Sequence, residues 1–169
     1  MLLVAAHAQK HTREDRVKPA DLNTDVLAKE LADTTGSWFI TTTSIQQDPN
    51  WYLKSPFRVK VKKIIQERDI ETVFDIHGRK KEHPNLLEFL PNNSFSQKYH
   101  SLLKSTNIPI LPFSDNEQVT LAEDLDRDGV PCIEVETRIK TGKDGKIQDS
   151  DEYQRIIDTL TKLIKKTTH

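Results

Sequence analysis

Cysteine, glycine and long apolar runs are scarce in this 169-residue chain. A single cysteine, Cys132, excludes an internal disulfide and suits a reducing compartment. Five glycines leave no glycine-rich phosphate loop. No apolar run approaches the length needed to cross a bilayer. The opening MLLVAA has neither a basic flank nor a full apolar core, so it does not read as a signal peptide. An excess of one charge is also missing, since 25 Lys and Arg face 26 Asp and Glu. With a net charge of −1 and Lys mixed among Glu and Asp, neither nucleic acid nor an acidic membrane is an expected partner. The cytoplasm is the expected location.

What is present is an alternation of strand and helix patterns. The length fits one domain spanning 1–169. LLVAA is a short apolar run of the buried-strand kind, followed by a polar loop from His7 to Pro19. Leu22, Val26, Leu27 and Leu31 recur at helical spacing, with Gly36 as the stop. SWFITTTS reads as a second strand. Ser55-Pro56 opens a helix whose stripe is Phe57, Val61, Ile64 and Ile65. ETVFDI is the third strand, and 77–93 reads as a polar loop. A helix is predicted over 94–104, and IPILPF (108–113) is a short, proline-weakened strand towards an edge. GVPCIEVETRI contains the last strand, before an amphipathic helix with Tyr153, Ile156, Ile157, Leu160, Leu163 and Ile164 on one face. The alternation predicts an α/β fold, a three-layer sandwich around a mixed, mostly parallel sheet.

In open α/β sheets, ligands gather at the carboxyl ends of the strands. His7 follows LLVAA and His77 follows TVFDI, so both are candidate metal ligands. Asp75 stands two residues before His77 and shares its face, where it can orient the ring. A third ligand comes from His11, Glu14, Asp15 or Asp21. Glu134 and Glu136 alternate with Ile133 and Val135 and therefore face one side of their strand. One of them would serve as general base on water at the metal. DLDRDG resembles the start of an EF-hand loop, but its twelfth position is Val135, so it reads as a polar turn.

Taken in order, these segments resemble the N-formylglutamate amidohydrolase-like family, with its poly-γ-glutamate hydrolases and its zinc-carboxypeptidase-like fold. VAAHA is similar to the family's first ligand segment, and VFDIHG to its Asp-x-His motif. DLNTDVLAKELA is similar to an acid-led helix, which favours Asp21 as third ligand. QQDPNWYLK is similar to an Asp-x-Asn segment at Asp48 and Asn50, and IEVETR to the catalytic-glutamate strand. The match to IEV favours Glu134, whereas position along the strand favours Glu136, which is the first choice for the base. Trp51 stands where the family has an arginine, so an anionic substrate group would fall to Arg13, Arg16, Arg58 or Arg79, with Arg58, at a helix start, the first choice and Arg13 the second. Gly78 would let the chain turn after His77. The resemblance implies a zinc-dependent hydrolase of an amide bond in an N-acyl amino acid, a γ-glutamyl chain or a peptide. The alternative is a non-catalytic binding module on the same fold with a decayed metal site.

Overall fold

Leu2–Ala5 is apolar at every position and fully buried, as a parallel strand between two helical layers requires. A computed structural model describes residues 1–112 and 119–167. In chain order the elements are β1 (Leu2–Ala5), β2 (His11–Arg13), β3 (Arg16–Lys18), α1 (Thr24–Thr35), β4 (Trp38–Thr41), β5 (Gln46–Gln47), α2 (Pro56–Glu67), β6 (Val73–Gly78), β7 (Leu87–Pro91), α3 (Asn93–Lys98), α4 (His100–Lys104), α5 (Leu121–Arg127), β8 (Cys132–Thr137) and α6 (Ser150–Thr167).

The main sheet has the order β4-β1-β6-β8-β7, parallel except for β7 at one edge. One face, with Leu3, Ala5, Phe74, Ile76, Ile133 and Val135, packs on α1 and α6. The other, with Leu2, Val4, Val73 and Cys132, packs on α2 and α5. This second face changes character along β6 and β8: Val73 and Cys132 give way to Asp75 beside Glu134 and then His77 beside Glu136. Hydrophobic packing thus fills the amino-terminal half of that layer, and ionisable groups fill the carboxyl-terminal half.

Local chemistry accounts for the boundaries. Gly36 ends α1 in the left-handed region, and its N–H donates to the Ala32 carbonyl. Ser55 caps α2 by accepting from the Arg58 N–H, with Pro56 in the first turn. On α1 the buried apolar residues are Leu27, Ala28, Leu31 and Ala32, whereas Val26, and Leu22 just before the helix, face outward, so the stripe lies one position round from the spacing read in the sequence.

Further segments differ from the sequence reading. The 7–19 stretch is not a plain loop: β2 and β3 form a hairpin, with Glu14 at φ 53° in its turn, and β5 pairs with β2. The 77–93 stretch contains β7, whose closing Pro91 is tolerated because β7 is an edge strand. The single helix expected over 94–104 is divided at Tyr99. DLDRDG is not a turn, because α5 enters it from a capping box in which Thr120 and Glu123 satisfy each other's backbone N–H. Of the strand expected over 108–113, Ile110 makes one bridge to Phe89, and Phe113 lies outside the described residues. Among the described residues, no helix is long and apolar enough to cross a membrane.

Candidate metal centre

The chain leaves β1 through α1 to β4 on one side, then returns through α2 to β6 on the other. Strand order reverses between β1 and β6, and the crevice at their carboxyl ends is where such sheets bind ligands. His7 lies just beyond β1, and His77 is the penultimate residue of β6. Their ring centroids are 5.0 Å apart, and both side chains are buried.

Asp21 is pinned between them. Its N–H donates to the His7 carbonyl at 2.8 Å, and its own carbonyl accepts from Thr24 at the start of α1. Its Oδ2 lies 3.7 Å from Nδ1 of His7 and 3.5 Å from Nδ1 of His77, and accepts from the Gly78 N–H at 3.1 Å. Ligand atoms about 2.1 Å from one tetrahedral ion stand about 3.4 Å apart. The three side chains therefore converge at metal-site spacing.

Gly78 makes that convergence possible. A Cβ there would meet Cβ of Asp21 at 3.0 Å and its Cα at 3.3 Å. Its φ is not in the left-handed region. Close approach to Asp21, rather than a sharp turn, is what the glycine serves.

The opposite nitrogens face carboxylates. Nε2 of His7 is 2.9 Å from Oδ1 of Asp48, which is fully buried. A carboxylate only accepts, so Nε2 carries a proton towards Asp48 and, without metal, Nδ1 turns a proton towards Asp21; an ion would take the place of that second proton. Nε2 of His77 lies 3.1 Å from Oδ2 of Asp75, also fully buried. Arg13 fixes Asp48 through Nε at 2.9 Å and Nη2 at 2.6 Å, while stacking on the Trp51 ring. The Asn50 N–H also donates to Asp48, and Asn50 Oδ1 accepts from Leu121 N at the start of α5.

The charge states follow from these contacts. Burial pushes the Asp21 carboxyl up, but hydrogen bonds from both histidines overcome that and hold it below the ordinary carboxylate range. Asp48 is likewise pulled down, against burial, by His7 and Arg13. Burial depresses His7 and His77, yet the neighbouring aspartates win, and both rings are raised, His77 strongly. His11, stacked on His7 at 4.1 Å, is lowered by burial and by His7. His7, His11 and Asp48 form a second group within metal-binding range. There, however, Arg13 already occupies the carboxylate. The first group, with Asp21, is the one whose acidic member holds no arginine.

A cavity of about 300 Å³ opens over the first group, lined by Arg13, Asn50, Arg79, Thr120, Glu134 and Glu136 as well as the ligand set. Glu134 is buried, and its Oε1 has no hydrogen-bond partner among the described residues. Burial, with Asp75 and Glu136 adding to it against His77, pushes its carboxyl up to about 7. Glu136 is also raised by burial, but Arg79 Nε stands 3.2 Å from its Oε2. Arg79 Nη2 in turn faces Glu88 at 3.5 Å.

Arg58 does not line this cavity. Its position on α2 turns it into the layer beneath, fully buried, where Nη2 donates to the Val119 carbonyl at 2.7 Å. Arg79 is the arginine that joins Arg13 in the cavity. Glu14 and Asp15 sit in the hairpin turn, away from the ligand set. Sequence reading missed Glu88, which lies in a segment taken as loop, and Thr120, which lies in a stretch assigned to no element.

No protein-family model matches the chain, and neither does any curated protein. Solved structures do. A gene product of Agrobacterium tumefaciens, Atu2144, superposes with a TM-score of 0.63 at 15% identity, covering 98% of this chain and 88% of its own. N-formylglutamate amidohydrolase from Ralstonia eutropha gives 0.57 at 11% identity, over 96% and 90% of the two chains. A bacteriophage poly-γ-glutamate hydrolase gives 0.54 at 13% identity, over 99% and 84%. With its mostly parallel sheet and the site at the carboxyl ends of β1 and β6, this chain has the fold of the N-formylglutamate amidohydrolase and poly-γ-glutamate hydrolase structures.

Proposed function

We propose that the protein is a zinc-dependent hydrolase of an amide bond, acting on an N-acyl amino acid or a peptide-like chain. The observation that carries this reading is the convergence of Nδ1 of His7, Oδ2 of Asp21 and Nδ1 of His77, with each imidazole backed by a buried aspartate. Two nitrogens and one carboxylate oxygen suit zinc and leave a fourth position open. Bound there, zinc would polarise the scissile carbonyl and favour ionisation of water.

The chain's own groups supply the rest. His7 and His77 are held by Asp48 and Asp75 with Nδ1 towards the ion, and Asp21 is locked by the Gly78 N–H. Glu134, buried, raised and, among the described residues, with no hydrogen-bond partner for its Oε1, takes the proton from attacking water and returns it to the leaving amine. Glu136 is bound to Arg79 and shapes the cavity wall. The fold shared with amidohydrolases fits this chemistry.

The test combines metal content with turnover. Protein purified without chelator should hold about one zinc per chain and hydrolyse N-acyl amino acids or γ-glutamyl peptides. Removing the metal should abolish turnover, and zinc should restore it. A protein that holds no divalent metal at micromolar supply would overturn the reading in favour of a binding module.

A further inference from the structure

The two cavity arginines are each committed to carboxylates. Arg13 spends two N–H groups on Asp48, and Arg79 lies between Glu136 and Glu88. Among the described residues, an anionic substrate group therefore finds no unpaired arginine beside the ligand set. Free cations lie one step away. Across the carboxyl end of β6 a second cavity, of about 280 Å³, shares Asp21, Gly78 and Arg79 with the first. Lys80 and Lys81 stand at its rim, both exposed. Among the described residues Lys80 has no ion pair, and Lys81 has only exposed Glu82 at 4.0 Å. The cavity also has apolar surface: Ala20, buried Ile139, and Leu22, which is 53% exposed. A run of exposed lysines is ordinarily just solvated. This one borders a partly apolar hollow that shares a wall with the candidate active site.

We infer that this second cavity is a substrate subsite, in which Lys80 and Lys81 receive a carboxylate carried on a short apolar extension of the substrate beyond the scissile amide. The inference rests on the metallohydrolase reading for its orientation, and it narrows the substrate class. The substrate is an extended chain, with methylene groups over Leu22 and Ile139 and an acidic group outside the metal cavity, rather than a compact acyl amino acid. Ammonium groups hold such a carboxylate as point charges, without the two-pronged geometry of arginine, so one acid can be exchanged for another. Attraction at an exposed rim is screened by salt.

Calorimetric titration tests this without any turnover. The probes are acetyl-Gly-Gly-Glu and its uncharged counterpart acetyl-Gly-Gly-Gln amide, added to the protein as purified. The acidic peptide should bind at least about tenfold more tightly than the neutral one, and sodium chloride at 0.5 M should erase most of the difference. K80S/K81S should lose the preference. K29S, on the exposed face of α1, should keep it. Equal binding of the two peptides to the wild-type protein, or a preference that survives K80S/K81S, would overturn the subsite. Hydrolysis of either peptide is scored separately. A preference without turnover keeps the subsite and counts against the hydrolase, whereas turnover without preference does the reverse.

Discussion

Oδ1 of Asp48 lies 2.9 Å from Nε2 of His7, and Arg13 clamps the other oxygen. The pair sets which imidazole nitrogen is free. An asparagine at 48 could turn its amide N–H₂ towards Nε2 and leave the proton on Nδ1, where the metal should be. Asp48→Asn should therefore weaken zinc affinity about 10- to 100-fold, measured by competition with a chromophoric chelator. Unchanged affinity would leave Asp48 as a partner of Arg13 alone.

Gly78→Ala probes the approach of Asp21. The backbone there is open to any residue, so the variant should fold, at a cost of about 1–3 kcal/mol for the crowding. The added methyl, 3.0 Å from Cβ of Asp21, should push that carboxylate off both histidines. Loss of zinc with a near-native circular dichroism spectrum is the expected result. Full zinc occupancy would show that Asp21 has room to move and still ligate.

The parts of this site that were legible in the sequence are those on buried strands. LLVA and VFDIHG announce themselves as continuous apolar runs, and the polar residues that interrupt or end them stand out. Asp21 was placed by resemblance rather than by pattern, because a carboxylate before a helix has an ordinary capping role. Arg58 misled because a cation in the first turn of a helix normally faces solvent, and this one is taken inward by the Val119 carbonyl. Glu88 was hidden by the prolines around it, which favour a loop everywhere except on an edge strand such as β7. The hairpin carrying His11 and Arg13 has strands of three residues, too short for any alternation to register.

Burial makes Arg58→Lys a stability variant. Lysine cannot reach the Val119 carbonyl in the same geometry, and loss of one buried charged hydrogen bond costs about 1–3 kcal/mol. A lower Tm with unchanged KM is expected. The opposite outcome, a raised KM at unchanged Tm, would bring the guanidinium back to the substrate.

The metal-free protein should be most stable in mild acid. His7 and His77 have folded pKa values above 6.5, so their stabilisation is complete below that and is lost as pH rises through the folded values. Glu134, lifted from 4.5 to about 7, acts in the same direction, because the folded state binds the extra proton across that window. At about 1.4 kcal/mol per pH unit its share reaches about 3 kcal/mol. Asp21 and Asp48 are lowered, so their contribution is present above 3.8 and lost as pH falls through the folded values. Tm of the metal-free protein should therefore fall from about pH 5 to pH 8. Saturating zinc should raise it most at the alkaline end, where Nδ1 is bare. A Tm that rises with pH without metal would contradict these assignments.

Glutamine at 134 and at 136 separates the base from the wall. Both side chains project from β8 on the face that carries Asp75 and His77, so both reach the cavity. Position along the strand favours Glu136, which lies nearer the strand end. Its carboxylate, however, is engaged by Arg79, and a cation at 3.2 Å weakens a base. Glu134 has an unpartnered buried oxygen and a pKa near neutrality without metal, which a bound ion would draw lower. Glu134→Gln should keep zinc, keep KM within a few-fold and lower kcat by about 100- to 10,000-fold, and the acidic limb of its kcat/KM profile should vanish. Glu136→Gln should leave that limb in place and release Arg79 towards Glu88, with the smaller loss in kcat. If the limb disappears with Glu136→Gln and persists with Glu134→Gln, the roles are exchanged, and the Arg79 contact must open when substrate binds.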